Sequence, residues 1–320
     1  MRAYHGPIKG LVRVVGVDVA KAEVVIFDSQ TRQTISVTNE PQALRAALAT
    51  FSDYELMVCE VTGGYERALL EAAYSLDLPA HRADPLRVKR YIASLGGAAK
   101  TDGIDAGWLA RYGQERGPDL DRWQPGNPDQ DNLASLLRHR RHLVSARAEA
   151  RARRSAPGAE AIAGFLDDEI AFLAQQIGKL DQAIEALIDK APQIARNEQR
   201  LRDVSGFGPI VARSLLAFLP ELGRLNRRQA ASLAGLAPHP KDSGKFRGRR
   251  RTGAGRSELK PLLFMAALSA IRTDPHFVSF AERLAADGKE KRLILTAVAR
   301  KLVVLANAIL RDQNHAPQLT

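Results

Sequence analysis

Residues 11–28 read LVRVVGVDVAKAEVVIFD. Val12, Val14, Val15, Val17 and Val19 are β-branched, and the polar break falls at DVAKAE. Two strands joined by a tight turn are expected. Residues 33–38, QTISVT, extend the pattern as a third strand. Helical spacing follows over 41–51, a short buried strand over 55–61, and a helix over 64–76. A short strand over 79–83 and a helix over 85–95 come next, and a further helix is expected to start near Thr101. A strand hairpin followed by alternating strands and helices predicts an α/β layer domain.

Residues 117–130, GPDLDRWQPGNPDQ, are rich in Pro, Gly and Asp and read as a linker and domain boundary. Two long helical patterns, 131–153 and 160–190, are broken by SAPGAE, which predicts an antiparallel helical hairpin. Ile170, Leu173, Ile177, Leu180, Ile184 and Leu187 recur at spacings of three and four. That stripe suits a coiled-coil partner or a plain two-helix support. From residue 200 the chain reads as helical, with loops at 220–227 and 237–257. The expected division is 11–116, 117–198 and 199–311, with tails at 1–10 and 312–320.

With 320 residues the chain is long enough for about two domains with a real core. Its formal net charge of +11 favours polyanionic partners, nucleic acid first. The excess is concentrated. Residues 138–154 hold seven arginines and one glutamate, net +6, and residues 241–260 hold eight basic and two acidic residues, also net +6. The lone Cys59 rules out an intramolecular disulfide and a multi-cysteine zinc site, and fits a reducing cytoplasm. No secretion signal is expected at the N-terminus, and apolar stretches such as PLLFMAALSAI are too short to span a bilayer. No membrane partner is expected.

Four carboxylates stand at element ends. Asp18 closes the first strand in GVDVAK, Glu60 closes a later strand in CEVTGG, and Asp102 and Asp105 stand three apart in KTDGIDA. Positions i and i+3 of a helix share a face, and adjacent strand ends of an α/β sheet open on one edge. Clustered carboxylates repel unless cations neutralise them. Hard divalent cations such as Mg²⁺ take oxygen ligands, and two of them about 4 Å apart serve phosphoryl transfer. Taken singly, each acid also reads as a turn or cap residue. Glu60, beside Cys59 and Val61 on an apolar strand, needs a partner if buried.

Two further stretches point to nucleic acid. Gly206 and Gly208 separate two apolar helical patterns, as a backbone-binding helix-hairpin-helix or an ordinary glycine turn does. Residues 239–260, HPKDSGKFRGRRRTGAGRSELK, set Ser243 among Lys245, Arg247, Arg249, Arg250 and Arg251. A glycine-spaced basic loop wraps phosphate with side-chain forks and N–H groups, and a serine there is a candidate nucleophile. The same run also reads as a solvated, non-specific contact. His239 and Asp242 are candidate bases by nearness alone. Arg138, Arg140, Arg141, Arg147 and Arg151 of the first patch are candidate backbone contacts for RNA or DNA.

GVDVAK, CEVTGGYE and AAKTDGIDA, then a helical hairpin, then VSGFGP and GLAPHPKDSGKFRGRR, resemble in order and spacing the DEDD transposases of the one-ten group of insertion sequences. The resemblance covers residues 12–311. It implies an N-terminal RuvC-like domain of the RNase H fold, whose quartet maps to Asp18, Glu60, Asp102 and Asp105. It also implies Mg²⁺ or Mn²⁺ on that quartet, and a mostly helical C-terminal transposase domain with its catalytic serine at Ser243. Its implied partners are element-end and target DNA, an element-encoded non-coding guide RNA, and further copies of the chain as a dimer or tetramer. In such an oligomer the carboxylates of one subunit meet the serine of another. Two rivals remain: a Holliday-junction-resolvase type of nuclease using water as nucleophile, and a nucleic-acid-binding protein without catalysis.

Overall fold

The computed structural model describes residues 12–96, 105–239, 251–253 and 255–314. The chain divides into two compact units, residues 1–125 and 126–320.

In the first unit, β1 (Val14–Val19), β2 (Glu23–Asp28) and β3 (Thr34–Thr38) form an antiparallel meander. β4 (Leu56–Glu60) and β5 (Ala80–Ala83) add to it in parallel, giving the order β3-β2-β1-β4-β5. This mixed sheet has the order and strand directions of the RNase H fold that the resemblance implies. Side chains alternate across a strand. Val15, Val17 and Val19 therefore pack on one face, against α1 (Pro41–Leu48) and α2 (Arg67–Ser75). Val14, Leu56 and Val58 pack on the other, against α3 (Pro85–Ser94) and α4 (Ala106–Arg116). A strand covered on both faces reads as a near-continuous apolar run, which is what β1 is.

Helix α4 lies directly on β1. A Cβ at Gly16 would overlap the Ala106 carbonyl oxygen and the Ala110 amide. A Cβ at Gly113 would stand 2.7 Å from methyls of Val14 and Val58. The two missing side chains set the depth of this contact.

The second unit opens with α5 (Pro128–Arg154) and α6 (Ala163–Lys190), an antiparallel hairpin. Leu173, Ile177 and Ile184 of the α6 stripe are buried, whereas Ile170, Leu180 and Leu187 are half-buried. α5 packs along α6, and Ile184 joins Leu133 and Leu137 of α5 in the core of the unit. α7 (Pro192–Arg202), α8 (Pro209–Phe218), α9 (Arg227–Leu233), α10 (Leu259–Thr273), α11 (Pro275–Ala286) and α12 (Lys291–Asn314) complete the unit. β6 (Pro238–His239) pairs with β7 (Arg251–Thr252).

One expectation needs correction. The stretch Lys291–Arg311 in α12 is long and apolar enough, by length and composition, to cross a membrane. Its apolar residues Val298, Leu302, Val303, Ala306 and Leu310 are buried in the core of the second unit. The run is apolar because α12 is that unit's central helix.

Below this core, Arg213 and Glu198 are both buried and joined at 3.0 Å, with Glu185 on the second arm of Arg213 at 2.8 Å. Removing one partner of a buried pair strands a charge, at about 3–5 kcal/mol. Arg213→Met is expected to lose about that much in urea unfolding, with Glu198→Leu in the same chain recovering most of it. An unchanged midpoint in the single variant would refute a structural role for the pair.

Candidate functional site

The parallel register of β1 and β4 pairs Gly16 with Val58 and Val17 with Cys59. One residue further on, Asp18 stands level with Glu60. By alternation both lie on the α4 face of the sheet. Asp105 lies at the same edge, as the N-cap of α4, its carboxylate accepting the Trp108 N–H at 2.9 Å. It has extended backbone, φ −71° and ψ 159°, and is the cap itself. The expected argument that Asp102 and Asp105 share a helical face therefore does not apply, and the helix begins at Ala106, not near Thr101, among the described residues. Asp102 lies outside the described residues.

The electrostatics tie these acids together. Burial raises the Glu60 pKa, the charge on Asp18 raises it further, and Lys89 on α3 opposes both. Burial likewise raises Asp18, the Val19 N–H offsets this, and Asp105 adds to it. Half-buried carboxylates whose pKa values are raised by burial and by a neighbouring acid fit a hard cation, which relieves the repulsion with oxygen ligands. Among the described residues no group of three acids, histidines or cysteines is gathered closely enough to hold a metal by itself. The donor chemistry therefore fits a divalent cation, while the described set stops short of a full shell.

A residue that sequence reasoning missed holds the β4 edge in place. Glu66 is 1% exposed and accepts from Gly64 N–H at 2.8 Å, Thr62 Oγ1 at 2.9 Å and Arg82 Nε at 2.8 Å. Burial works to raise its pKa. Its own N–H, Arg82, Gly64 and Thr62 outweigh that and hold it at about 2. Glu66 thus clamps the turn that follows Glu60 onto β5. Its only sequence signal is an acid placed just past the Gly63–Gly64 pair. Cys59 is fully buried, and burial pushes its thiol up to about 12, so it is an inert core residue.

In the second unit, Ser243, Lys245, Arg247, Arg249 and Arg250 lie outside the described residues. The ends of their segment are held side by side, because His239 pairs with Arg251 in β6–β7. Two basic residues of the expected patch anchor that base instead of facing solvent. Arg256 forks onto Glu221 with both contacts at 2.6 Å, and Lys260 Nζ donates to Thr252 Oγ1 at 2.8 Å.

The first patch is likewise partly consumed. Arg138 pairs with Glu258 at 3.4 Å and covers the Phe218 ring. Arg140 is bound to Asp181 on α6 at 2.5 Å, and Arg153 and Arg154 pair with Glu169 and Asp167. Arg141 and Arg151 are exposed and Arg147 is half-buried. These three make no ion pair among the described residues. Gly206 has φ +90°, and a Cβ there would overlap the Ala266 carbonyl, so packing against α10 accounts for it. Gly208 is exposed at the start of α8 with open space beside it.

Two measurements test this geometry. In Asp18→Asn, the Glu60 pKa followed by carboxyl-carbon NMR is expected to fall toward its ordinary value. No change would mean that the two acids do not face each other. Glu66 has a depressed folded pKa, so its stabilisation is complete above about pH 4.5 and drains away as pH falls toward about 2. Glu66→Gln is therefore expected to unfold more easily than the parent at neutral pH, with the gap closing in acid. A gap independent of pH would exclude a role for the charge.

Residues 15–156 match the DEDD transposase family of the IS110 type, and residues 198–282 match the Transposase IS116/IS110/IS902 family. The chain is 30% identical over 311 residues to the pilin gene-inverting protein of Moraxella lacunata, covering 93% of this chain and 95% of that protein. It is also 30% identical over 149 residues to a 42 kDa insertion element IS900 protein of Mycobacterium paratuberculosis, covering 45% of this chain and 37% of that one. A solved structure of T. thermophilus RuvC in complex with Holliday junction substrate is similar at a TM-score of 0.27 and 14% identity, over 35% of this chain and 99% of that one. A DEDD-type site implies a divalent metal, and a transposase has DNA as its partner. The chain belongs to the Transposase IS116/IS110/IS902 family, and it is an enzyme, a DNA transposase/recombinase.

Proposed function

We propose that the enzyme cuts and rejoins DNA strands through a covalent link between Ser243 and DNA, guided by an RNA encoded by its own element. The observation that supports the metal-dependent part of this reading is the placement of Asp18 and Glu60 level on adjacent parallel strands, with Asp105 at the same edge, in a chain of this family.

Asp18, Glu60, Asp102 and Asp105 would hold Mg²⁺ or Mn²⁺, which when bound stabilises negative charge on phosphate oxygens. Ser243 Oγ attacks the phosphorus of the scissile diester. The Oγ–P bond forms as the P–O3′ bond breaks. The hydroxyl proton leaves to a base in solution, and the departing 3′-oxygen takes up a proton. A 3′-hydroxyl from a second strand then attacks the phosphoserine, restoring a diester and releasing Ser243. The diester's energy is conserved, so exchange needs no outside source. Lys245, Arg247, Arg249, Arg250 and Arg251 hold the scissile phosphate and its neighbours during both steps.

Arg141, Arg147 and Arg151 contact the RNA or DNA backbone, and Gly208 opens a backbone contact at α8. Arg140 acts mainly in holding the hairpin together, and Arg138 in tying α5 to Glu258 and to Phe218 on α8. The working particle is an oligomer in the cytoplasm, with 11–116 as the nuclease domain, 117–198 as linker and hairpin, and 199–311 as the serine domain. Inversion of a DNA segment, which the name of the Moraxella relative describes, is one product such exchange yields.

The test is a denaturing trap for protein-bound DNA, using the protein with its native flanking DNA, the RNA encoded there and a target plasmid. The expected result is a covalent adduct that disappears in Ser243→Ala and depends on Asp18 and on Mg²⁺. Cutting without an adduct overturns the serine mechanism in favour of water as nucleophile. Cutting and adduct that persist in Asp18→Asn overturn the carboxylate site.

A further inference from the structure

We propose that the cavity between α9, α11 and α12 binds one unpaired nucleotide of a DNA or RNA strand, base inward and phosphates at the rim. The cavity measures about 1130 Å³. Ligand pockets commonly run to about 300–1,000 Å³, so a whole nucleotide fits with room for its neighbours' phosphates.

The floor is apolar and aromatic. Phe277 is buried, Phe280 is half-buried, and Leu305 from α12 is 39% exposed. The rim carries four cations, Arg227, Arg228, Arg300 and Lys301, against one carboxylate, Asp274. That carboxylate is already occupied, since its Oδ1 accepts the His276 N–H at 2.9 Å. Arg300 Nε donates to the Leu236 carbonyl at 3.2 Å and stiffens the wall. Arg227 and Arg228 form no ion pair among the described residues. Lys301 Nζ sits 4.0 Å from the centroid of the Phe280 ring and 3.5 Å from His276 Nε2, and the Arg283 guanidinium lies 5.4 Å from the same centroid, so an entering base takes the place of a cation on that ring.

An aromatic floor under a cationic rim matches one chemistry closely: a planar base with phosphate on either side. Bases stack on aromatic rings whatever their identity, and guanidinium groups fork onto phosphate. An apolar protein segment would cover the floor but leave the rim without counter-charge. A duplex would satisfy the rim but keep its bases out of the floor. The proposal rests on nucleic acid being the substrate, and not on Ser243 as nucleophile, so it and the adduct experiment fail independently.

The experiment uses the full chain and one oligonucleotide sequence in four forms: single-stranded DNA, the same strand as RNA, and the duplex of each. Affinity is measured for the parent, Phe280→Leu and Lys301→Gln, with thermal melting as the check on folding. Stacking on an aromatic side chain is worth about 1–3 kcal/mol per base, or about 5- to 150-fold. Phe280→Leu is expected to lose single-strand affinity in that range, while duplex affinity stays within about twofold. If Phe280→Leu does not fold, exposed Lys301→Gln carries the test, with a single-strand loss at least several times the duplex loss. A second readout is photocrosslinking of single-stranded DNA carrying 5-iododeoxyuridine. The adduct is expected on the tryptic peptide 273–283, TDPHFVSFAER. Equal losses on single strand and duplex, or crosslinks confined to other peptides, overturn the proposal. So does unchanged nucleic-acid affinity with a fall in sedimenting mass, which would assign the cavity to a second copy of the chain. A loss on RNA alone or DNA alone identifies which strand enters.

Discussion

Contact between α4 and β1 is the constraint on which the carboxylate edge of the sheet depends. Glycines at 16 and 113 let a helix backbone approach a strand backbone with no side chain between them. Interiors packed at crystal density do not yield to an extra methyl without movement of one element. The depth of this contact decides where the first residue of α4 lies, and therefore where its cap Asp105 lies. The parallel pairing of β1 with β4 decides the rest, because it sets Asp18 and Glu60 side by side on the face that α4 covers. Three acids from distant parts of the chain thus share one edge through two backbone contacts.

Such an arrangement is costly without a counter-charge. Asp18 and Glu60 are each pushed up by burial and by a neighbouring acid. The fold supports this strain with a rigid frame. Glu66 ties the turn after Glu60 to Arg82 on β5, so the strained carboxylates stand on elements that cannot relax apart. The contrast between Glu60 and Glu66 is instructive. Both are acids near the end of β4, yet one is destabilised in its charged form and the other is held near a pKa of 2 by donors on every side. Surroundings, not residue type, separate the acid suited to a metal from the acid suited to a clamp.

Basic residues divide in the same way. Counting charge along the chain singles out two patches of equal strength. In three dimensions several of those arginines are already paired with carboxylates. Arg140, Arg153 and Arg154 staple α5 to α6, and Arg256 anchors the base of the serine segment on Glu221. Among the described residues, the arginines of these patches without an ion partner include Arg141, Arg147 and Arg151 on the hairpin, and other cations lie where a charge count along the chain does not gather them. Arg227 and Arg228 on α9 and Arg300 and Lys301 on α12 are more than seventy residues apart, yet they rim one cavity.

The β-branched run at Val14–Val19, the turn chemistry after it and the periodicity of the long helices were sufficient to read the α/β unit, the helical hairpin and the helical remainder, because each rests on spacing within one element. The acids at strand ends were legible for the same reason, since a strand's end is a local property. Long-range proximity was not. Nothing in the order of residues places Glu66 on Arg82 or buries the membrane-length apolar run of α12 in a core. The glycine in β1 did carry a readable signal, because a glycine inside a strand of valines marks a close approach, though not which element approaches. By itself the sequence determined which residues are chemically able to act. Only the tertiary structure decided which of them meet, because meeting depends on register and packing depth between elements far apart in the chain.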